Sequence, residues 1–271
     1  MNTTVGSVYD GFDAIYCISL TTTPDKLKKA KELFKELGFE HLVKYYITKK
    51  SEYGGIYGCF ESHVNVMKKC YADPNCKNVL IFEDDVIKGA FYNEKYINNA
   101  IQFMKYNKDW DILKLGALVF LPPLVCNKKI GICKGNSVYA HAYVVNRKAI
   151  KQHIDYFNTL DPVDLKTKSF TAYGQYKYNF DATFQNSLNS YYIQSAQFWQ
   201  DQRSSNIDHT YGIIDMNKFQ DTDIGNSILA QFFSFSPMFL FLSSSCLIAF
   251  VILIIYISIK LTVETLKKIS K

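Results

Sequence analysis

Apolar residues along this chain follow two alternating spacings. The run "DAIYCISL" (13–20) is nearly continuous and of strand length. The segment after it, "TTTPDKLKKAKELFKELGF", sets Leu27, Ala30, Leu33, Phe34 and Leu37 at helical spacing. Thr23 stands where an N-cap belongs, Pro24 takes the first helical position, and Gly38 lies just past the end. The pattern then repeats. "LVKYYIT" (42–48) reads as a strand, about 60–71 as a helix, "NVLIFEDD" (78–85) as a strand, about 93–106 as a helix and "WDILKLG" as a strand. Such alternation predicts an α/β fold with a mostly parallel sheet and helices on both faces.

From about Phe120 the character changes. "FLPPLVCNKKIGICKGN" reads as a loop or hairpin, "SVYAHAYVVN" as a strand, "RKAIKQHIDYF" as a helix and "SYYIQSAQFWQ" as a late aromatic strand. Further on, no charged side chain occurs from Ile224 to Ile259, and Met238 to Ile259 would span about 33 Å as a helix. Its only polar side chains are scattered serines and a tyrosine, so a transmembrane helix is expected, with Tyr256 and Lys260 as interfacial anchors. The organisation is then a catalytic domain at 1–207, a linker at 208–237, the membrane span at 238–259 and a short basic tail at 260–271.

Charge changes the picture little. The net charge is +6 over 271 residues, and four lysines against Glu264 in the last twelve residues supply half of it. The remaining +3 is too scattered for a nucleic-acid surface. Seven cysteines, an odd number with no CxxC, read as reduced, mostly buried thiols. A lysine-bearing tail on the cytosolic side would place the catalytic domain in a lumen. The N-terminus shows no basic and apolar secretory signal, which favours a tail anchor with the domain in the cytosol.

The chemistry concentrates at "NVLIFEDDV", where a buried strand ends in Glu83, Asp84 and Asp85. Ligands of α/β sheets gather outside the carboxyl ends of the strands. Adjacent carboxylates about 4 Å apart repel by up to about 4 kcal/mol at an effective dielectric of about 20 unless a cation or protons offset them. Oxygen ligands of this kind suit Mg or Mn. The alternative is a plain solvated turn.

Five stretches in order, "GIYGCFESHVNVMKKC", "NVLIFEDDV", "WDILKLG", "HAYVVNRKAI" and "FWQDQRSSNI", resemble the motifs of glycosyltransferase family 25, over residues 13–207. The family includes lipooligosaccharide glycosyltransferases, collagen galactosyltransferases and large-virus proteins. The resemblance implies a Rossmann-like glycosyltransferase-A fold holding a nucleotide sugar, UDP-Gal or UDP-Glc, with Mn or Mg. It also implies an inverting transfer to a glycan, glycolipid or protein hydroxyl. On that basis Glu83 and Asp85 are metal ligands, Asp84 is the middle acid, His63 supports the donor pocket and Asp181 is the general base.

Departures are visible. The family's asparagine and arginines after the first strand are replaced here by Ser19, Leu20, Thr21, Thr22 and Thr23, then Lys26, so Ser19, Thr21 and Lys26 are the donor-side candidates. Its late Ser-Asp-Ile is Ser205, Asn206 and Ile207. A family member that keeps the fold but binds a glycan or protein without turnover is therefore the competing expectation. A nucleotidyltransferase would also use acids and a metal, but the chain shows no glycine-rich phosphate loop.

Overall fold

The structure, a computed structural model, describes residues 6–117, 125–135, 137, 140–163, 178, 180 and 189–201. The expected linker, membrane span and basic tail lie outside the described residues, as do Asp181 and Ser205 to Ile207. Among the described residues no helix is long and apolar enough to cross a membrane.

The first half follows the expected alternation: β1 (Ala14–Leu20), α1 (Pro24–Glu36), β2 (Val43–Thr48), α2 (Gly55–Ala72), β3 (Asn78–Glu83), β4 (Val86–Lys88), α3 (Glu94–Tyr106) and β5 (Ile112–Lys114). Then come β6 (Val125–Asn127), β7 (Ile132–Lys134), β8 (Ala142–Asn146), α4 (Arg147–Phe157), β9 (Ser190–Ile193) and β10 (Phe198–Gln200). Eight strands form one sheet in the order β2-β1-β3-β8-β5-β9-β7-β6, and β4 pairs with β10 in a second, two-stranded sheet.

The sheet is mixed, which corrects the expectation of a mostly parallel one. Three pairings are parallel, β1 with β2 and β3, and β5 with β9. Four are antiparallel, β8 with β3 and β5, and β7 with β9 and β6. Connectivity explains the reversal. A parallel neighbour needs a crossover, usually a helix. Between β5 and β8 the described residues supply a hairpin instead, so β8 enters from the opposite end. The late aromatic stretch is likewise two strands, not one, and they belong to different sheets.

Helices cover both faces, as expected. Along β3, Leu80 and Phe82 point to one face, with Ala30 and Phe34 of α1 and Ile97 and Ala100 of α3. Val79 and Ile81 point to the other, with Phe60, Val64 and Met67 of α2 and Ala149 and Ile150 of α4. The period of two along the strand thus splits one apolar run between two cores. Phe82 is fully buried among the rings of Phe34, Phe39 and Phe198, and truncating such a residue typically costs about 3–5 kcal/mol.

Three contacts hold β3 in place. The Asp13 carboxylate accepts from the backbone N–H groups of Lys77 and Asn78, each at 2.9 Å, tying the start of β3 to the start of β1. The Arg147 guanidinium donates to the carbonyls of Tyr71, Asp73 and Cys76 at 2.8–3.0 Å, satisfying groups left open at the α2 C-terminus. A disulfide joins Cys70 to Cys76 across the same turn. A second joins Cys126 to Cys133 across the β6–β7 hairpin. The expectation of reduced thiols is corrected for these four residues, while Cys17 and Cys59 keep thiols.

Candidate active site

The parallel strands β1, β2 and β3 end side by side, Ile18 opposite Glu83 and Leu20 opposite Thr48. Beyond their carboxyl ends lies a cleft of about 290 Å³. Ser19 and Leu20 line it from β1, Lys49 and Lys50 from the end of β2, and Glu83, Asp84 and Asp85 from the end of β3. Gly54, Gly58, Cys59, Ser62 and His63 line it at the start of α2.

Each acid has its own restraint. Asp84 Oδ2 accepts from the Ser19 hydroxyl at 2.7 Å and from the Thr23 hydroxyl at 2.8 Å. Thr23 does precede α1 as the sequence predicts, but its side chain makes no capping hydrogen bond. Its hydroxyl serves the acid instead. Asp85 Oδ2 lies 3.4 Å from Lys26 Nζ and accepts from Gln200 Nε2 at 3.2 Å. Pairing of β4 with β10 is what brings Gln200 there, and the Asp201 N–H closes the contact on the Asp85 carbonyl at 2.7 Å. Glu83 Oε1 is 3.0 Å from His63 Nε2, whose other ring nitrogen is 2.8 Å from the Tyr143 hydroxyl.

One oxygen stands apart. Asp85 Oδ1 is buried and has no hydrogen-bond partner. A buried carboxylate oxygen left so is costly unless a proton or a cation meets it. Burial first, then the charge of Glu83, raises the Asp85 carboxyl from 3.8 to about 7, against the pull of Lys26. Burial and the Asp84 charge raise Glu83 from 4.5 to about 7, again opposed by Lys26. Glu83 keeps 23% of its side chain exposed against 9% for Asp85, so burial weighs more heavily on Asp85. Lys26 meets Asp85 through Oδ2, which leaves Oδ1 of the acid unmet. The donor set therefore fits a hard divalent ion.

A family model described as glycosyltransferase family 25 (LPS biosynthesis protein) matches residues 8–167, more than half of the chain. The chain belongs to glycosyltransferase family 25. It is accordingly a glycosyltransferase by family. No curated protein sequence matches it. Solved structures with a likeness to this family 25 chain are distant. A197 from STIV has 11% identity and a TM-score of 0.39, covering 69% of this chain and 84% of that one. A glycosyltransferase involved in glycosylation of the major capsid of PBCV-1 has 14% and 0.38, covering 66% and 80%. A mutant Drosophila beta-1,4-galactosyltransferase 7 in complex with manganese, UDP-Gal and xylobiose has 9% and 0.36, covering 77% and 80%. Likenesses this remote decide nothing about chemistry.

Within the family 25 chain, the structure brings Ser19, Lys26, His63, Glu83, Asp84 and Asp85 together on one cleft. Thr21 is not among them. It is exposed, and its N–H donates to the Thr48 carbonyl at 2.8 Å, joining β1 to β2. Asp181 lies outside the described residues.

Sequence reasoning missed Thr23, Gln200 and the pair Lys49 and Lys50. Those lysines put two exposed positive charges on the cleft where the family's arginines are lacking. Their signal was present as a basic pair directly after a strand and just before "GGIYG". It was also missed that α2 begins at Gly55, not near residue 60. Gly54 caps it at φ +97, a conformation open to glycine, and a Cβ on Gly58 would lie 2.8 Å from Ser51 Cβ. Glycines at 54, 55 and 58 weaken the helical signal there, and the close approach to Ser51 accounts for the one at 58.

Proposed function

We propose that the chain transfers a hexose from a nucleoside diphosphate sugar, UDP-Gal or UDP-Glc, to a hydroxyl of a glycan, glycolipid or protein in a metal-dependent, inverting step. The observation that carries this reading is Asp85 Oδ1, buried without a partner in a cleft at three strand ends, with lysines on the same cleft.

Asp85, with Asp84 and Glu83 beside it, would hold Mn or Mg. Such an ion would supply positive charge to a departing diphosphate. The chain's own residues prepare that position. Ser19 and Thr23 fix Asp84, His63 fixes Glu83, and Gln200 orients Asp85. Lys26, Lys49 and Lys50 offer positive charge to phosphate oxygens. Asp181 remains the proposed base for the acceptor hydroxyl.

The uncharged segment from Ile224 to Ile259 supports a membrane tether. The disulfides Cys70–Cys76 and Cys126–Cys133 support a lumenal catalytic domain over a cytosolic one, because such bonds persist in oxidising compartments.

The test is a screen of UDP-sugars for hydrolysis and transfer with and without Mn, using the full-length chain. Turnover that needs no metal, or full activity in Asp85→Ala, overturns the reading. A second reading, a family member that binds without turnover, draws on Lys26, which already sets a cation against Asp85. Calorimetry with UDP plus Mn separates the two, since the second predicts no metal-dependent nucleotide binding.

A further inference from the structure

Cys59 and His63 stand four residues apart on α2, so their side chains leave the same face of the helix. That face meets the end of β3, and both residues line the cleft with Glu83. One ligand atom from each of the three lies within 4.8 Å of the other two.

The histidine is held as a metal ligand needs to be. Its Nε2 faces Glu83 Oε1 at 3.0 Å, and its Nδ1 is anchored by the buried Tyr143 hydroxyl at 2.8 Å. Such a contact on the second nitrogen fixes tautomer and ring orientation. Phe180 stacks on the imidazole at 4.1 Å and 14°, which fixes its plane. Cys59 keeps its thiol, since the two disulfides use other cysteines.

The donor atoms differ from those at Asp84 and Asp85. Oxygen alone suits a hard ion, whereas thiolate, imidazole and carboxylate together select a softer one. We propose that Cys59, His63 and Glu83 form a site for a divalent cation of the zinc class on the α2 side of the cleft, separate from the position at Asp85.

Binding breaks the Cys59 S–H bond, forms a metal–sulfur bond and releases the proton to solvent. Three protein ligands leave a fourth position for water. Glu83 cannot serve both positions at once, so zinc here opposes any hard ion that uses Glu83. The site shares Glu83 with the position at Asp85 but does not rest on the transfer reading, because Cys59 and His63 are distinguished by their own donor atoms.

The test is cobalt titration of the metal-free full-length chain, followed by absorption. Expected are a thiolate-to-cobalt charge-transfer band and the visible bands of four-coordinate cobalt, saturating at one ion per chain and bleached by zinc. Cys59→Ser removes the charge-transfer band. Cys59→His removes it but keeps the visible bands, which shows that the site still assembles. Asp85→Asn leaves both intact while abolishing Mn-dependent transfer, so failure of either reading is told from failure of the other. A wild-type chain without the charge-transfer band, or a band that persists in Cys59→Ser, overturns the proposal.

Discussion

Lys26 Nζ lies 3.4 Å from Asp85 Oδ2, across a sequence separation of 59 residues. The first turn of α1 therefore delivers a built-in cation to the acid that the sequence left without a counter-charge. It competes with a divalent ion for Asp85, yet it also adds positive charge for a diphosphate. Lys26→Ala should tighten Mn binding to the donor-free protein by about tenfold, since a like charge a few ångströms away is removed. It should also raise KM for the nucleotide sugar. Calorimetry reads the first effect and steady-state kinetics the second. Weaker Mn binding in the variant would mean that Lys26 organises the site and does not compete for it.

The raised carboxyls at Glu83 and Asp85 set a pH dependence whose sign is fixed. In the metal-free protein both groups keep protons that the unfolded chain sheds from about pH 4 upward. Their contribution to stability is full below their unfolded values and is lost as pH rises through about 7. His141 acts in the opposite sense. Burial lowers it from 6.5 to about 4, so its contribution is full above 6.5 and falls as pH drops toward 4. Of these three groups, only the carboxyls change charge between about pH 6.5 and 8. Asp85→Asn should be more stable than the wild type at pH 8 in chelator, by about 2 to 4 kcal/mol, with the gap shrinking as pH falls to 4. Denaturant melts across that range measure it. A gap that does not change with pH would remove the buried carboxylate as its cause.

Much of the fold was legible because periodicity reports burial. The run at β3 and the stripe of α1 could be read directly, and α4 begins at Arg147 as "RKAIKQHIDYF" predicts. Strand direction was less legible. Between "WDILKLG" and "SVYAHAYVVN" the sequence offers a loop or hairpin in place of the usual crossover helix, but pattern alone does not say which strands become neighbours or in which direction. The acids were legible as a charge conflict at a strand end. Lys49, Lys50 and Gln200 were not, because three separate chain segments meet only once the sheet forms.

Thr23 shows how a local rule gives way to a site. An N-cap threonine normally contributes about 1 kcal/mol to its helix, but here the hydroxyl is turned to Asp84 at 2.8 Å and caps nothing. Thr23→Val, which keeps shape and loses the donor, should therefore change stability by less than about 1 kcal/mol. It should lower kcat on the order of tenfold, by freeing Asp84 on one side. Thermal melts beside turnover rates provide the check. A variant that loses stability but keeps its rate would restore the capping role.

The four paired cysteines bear on where the domain matures. Neither pair was readable from spacing, since separations of 6 and 7 match no metal or redox motif. The fold makes them partners, through the turn after α2 and through the register of β6 with β7, which sets Cys126 opposite Cys133. In the chain-entropy account a loop this short yields about 2 kcal/mol per disulfide. Each bond, if reduced, should cost the domain about that much, read as a shift in its unfolding midpoint. Alkylation of denatured protein should label Cys70, Cys76, Cys126 and Cys133 only after reduction. In sealed membranes the same domain should resist added protease, because a compartment that keeps these bonds is closed to the cytosol. If all seven cysteines alkylate without reductant, both bonds are absent in the native protein, and the argument for a lumenal domain falls with them.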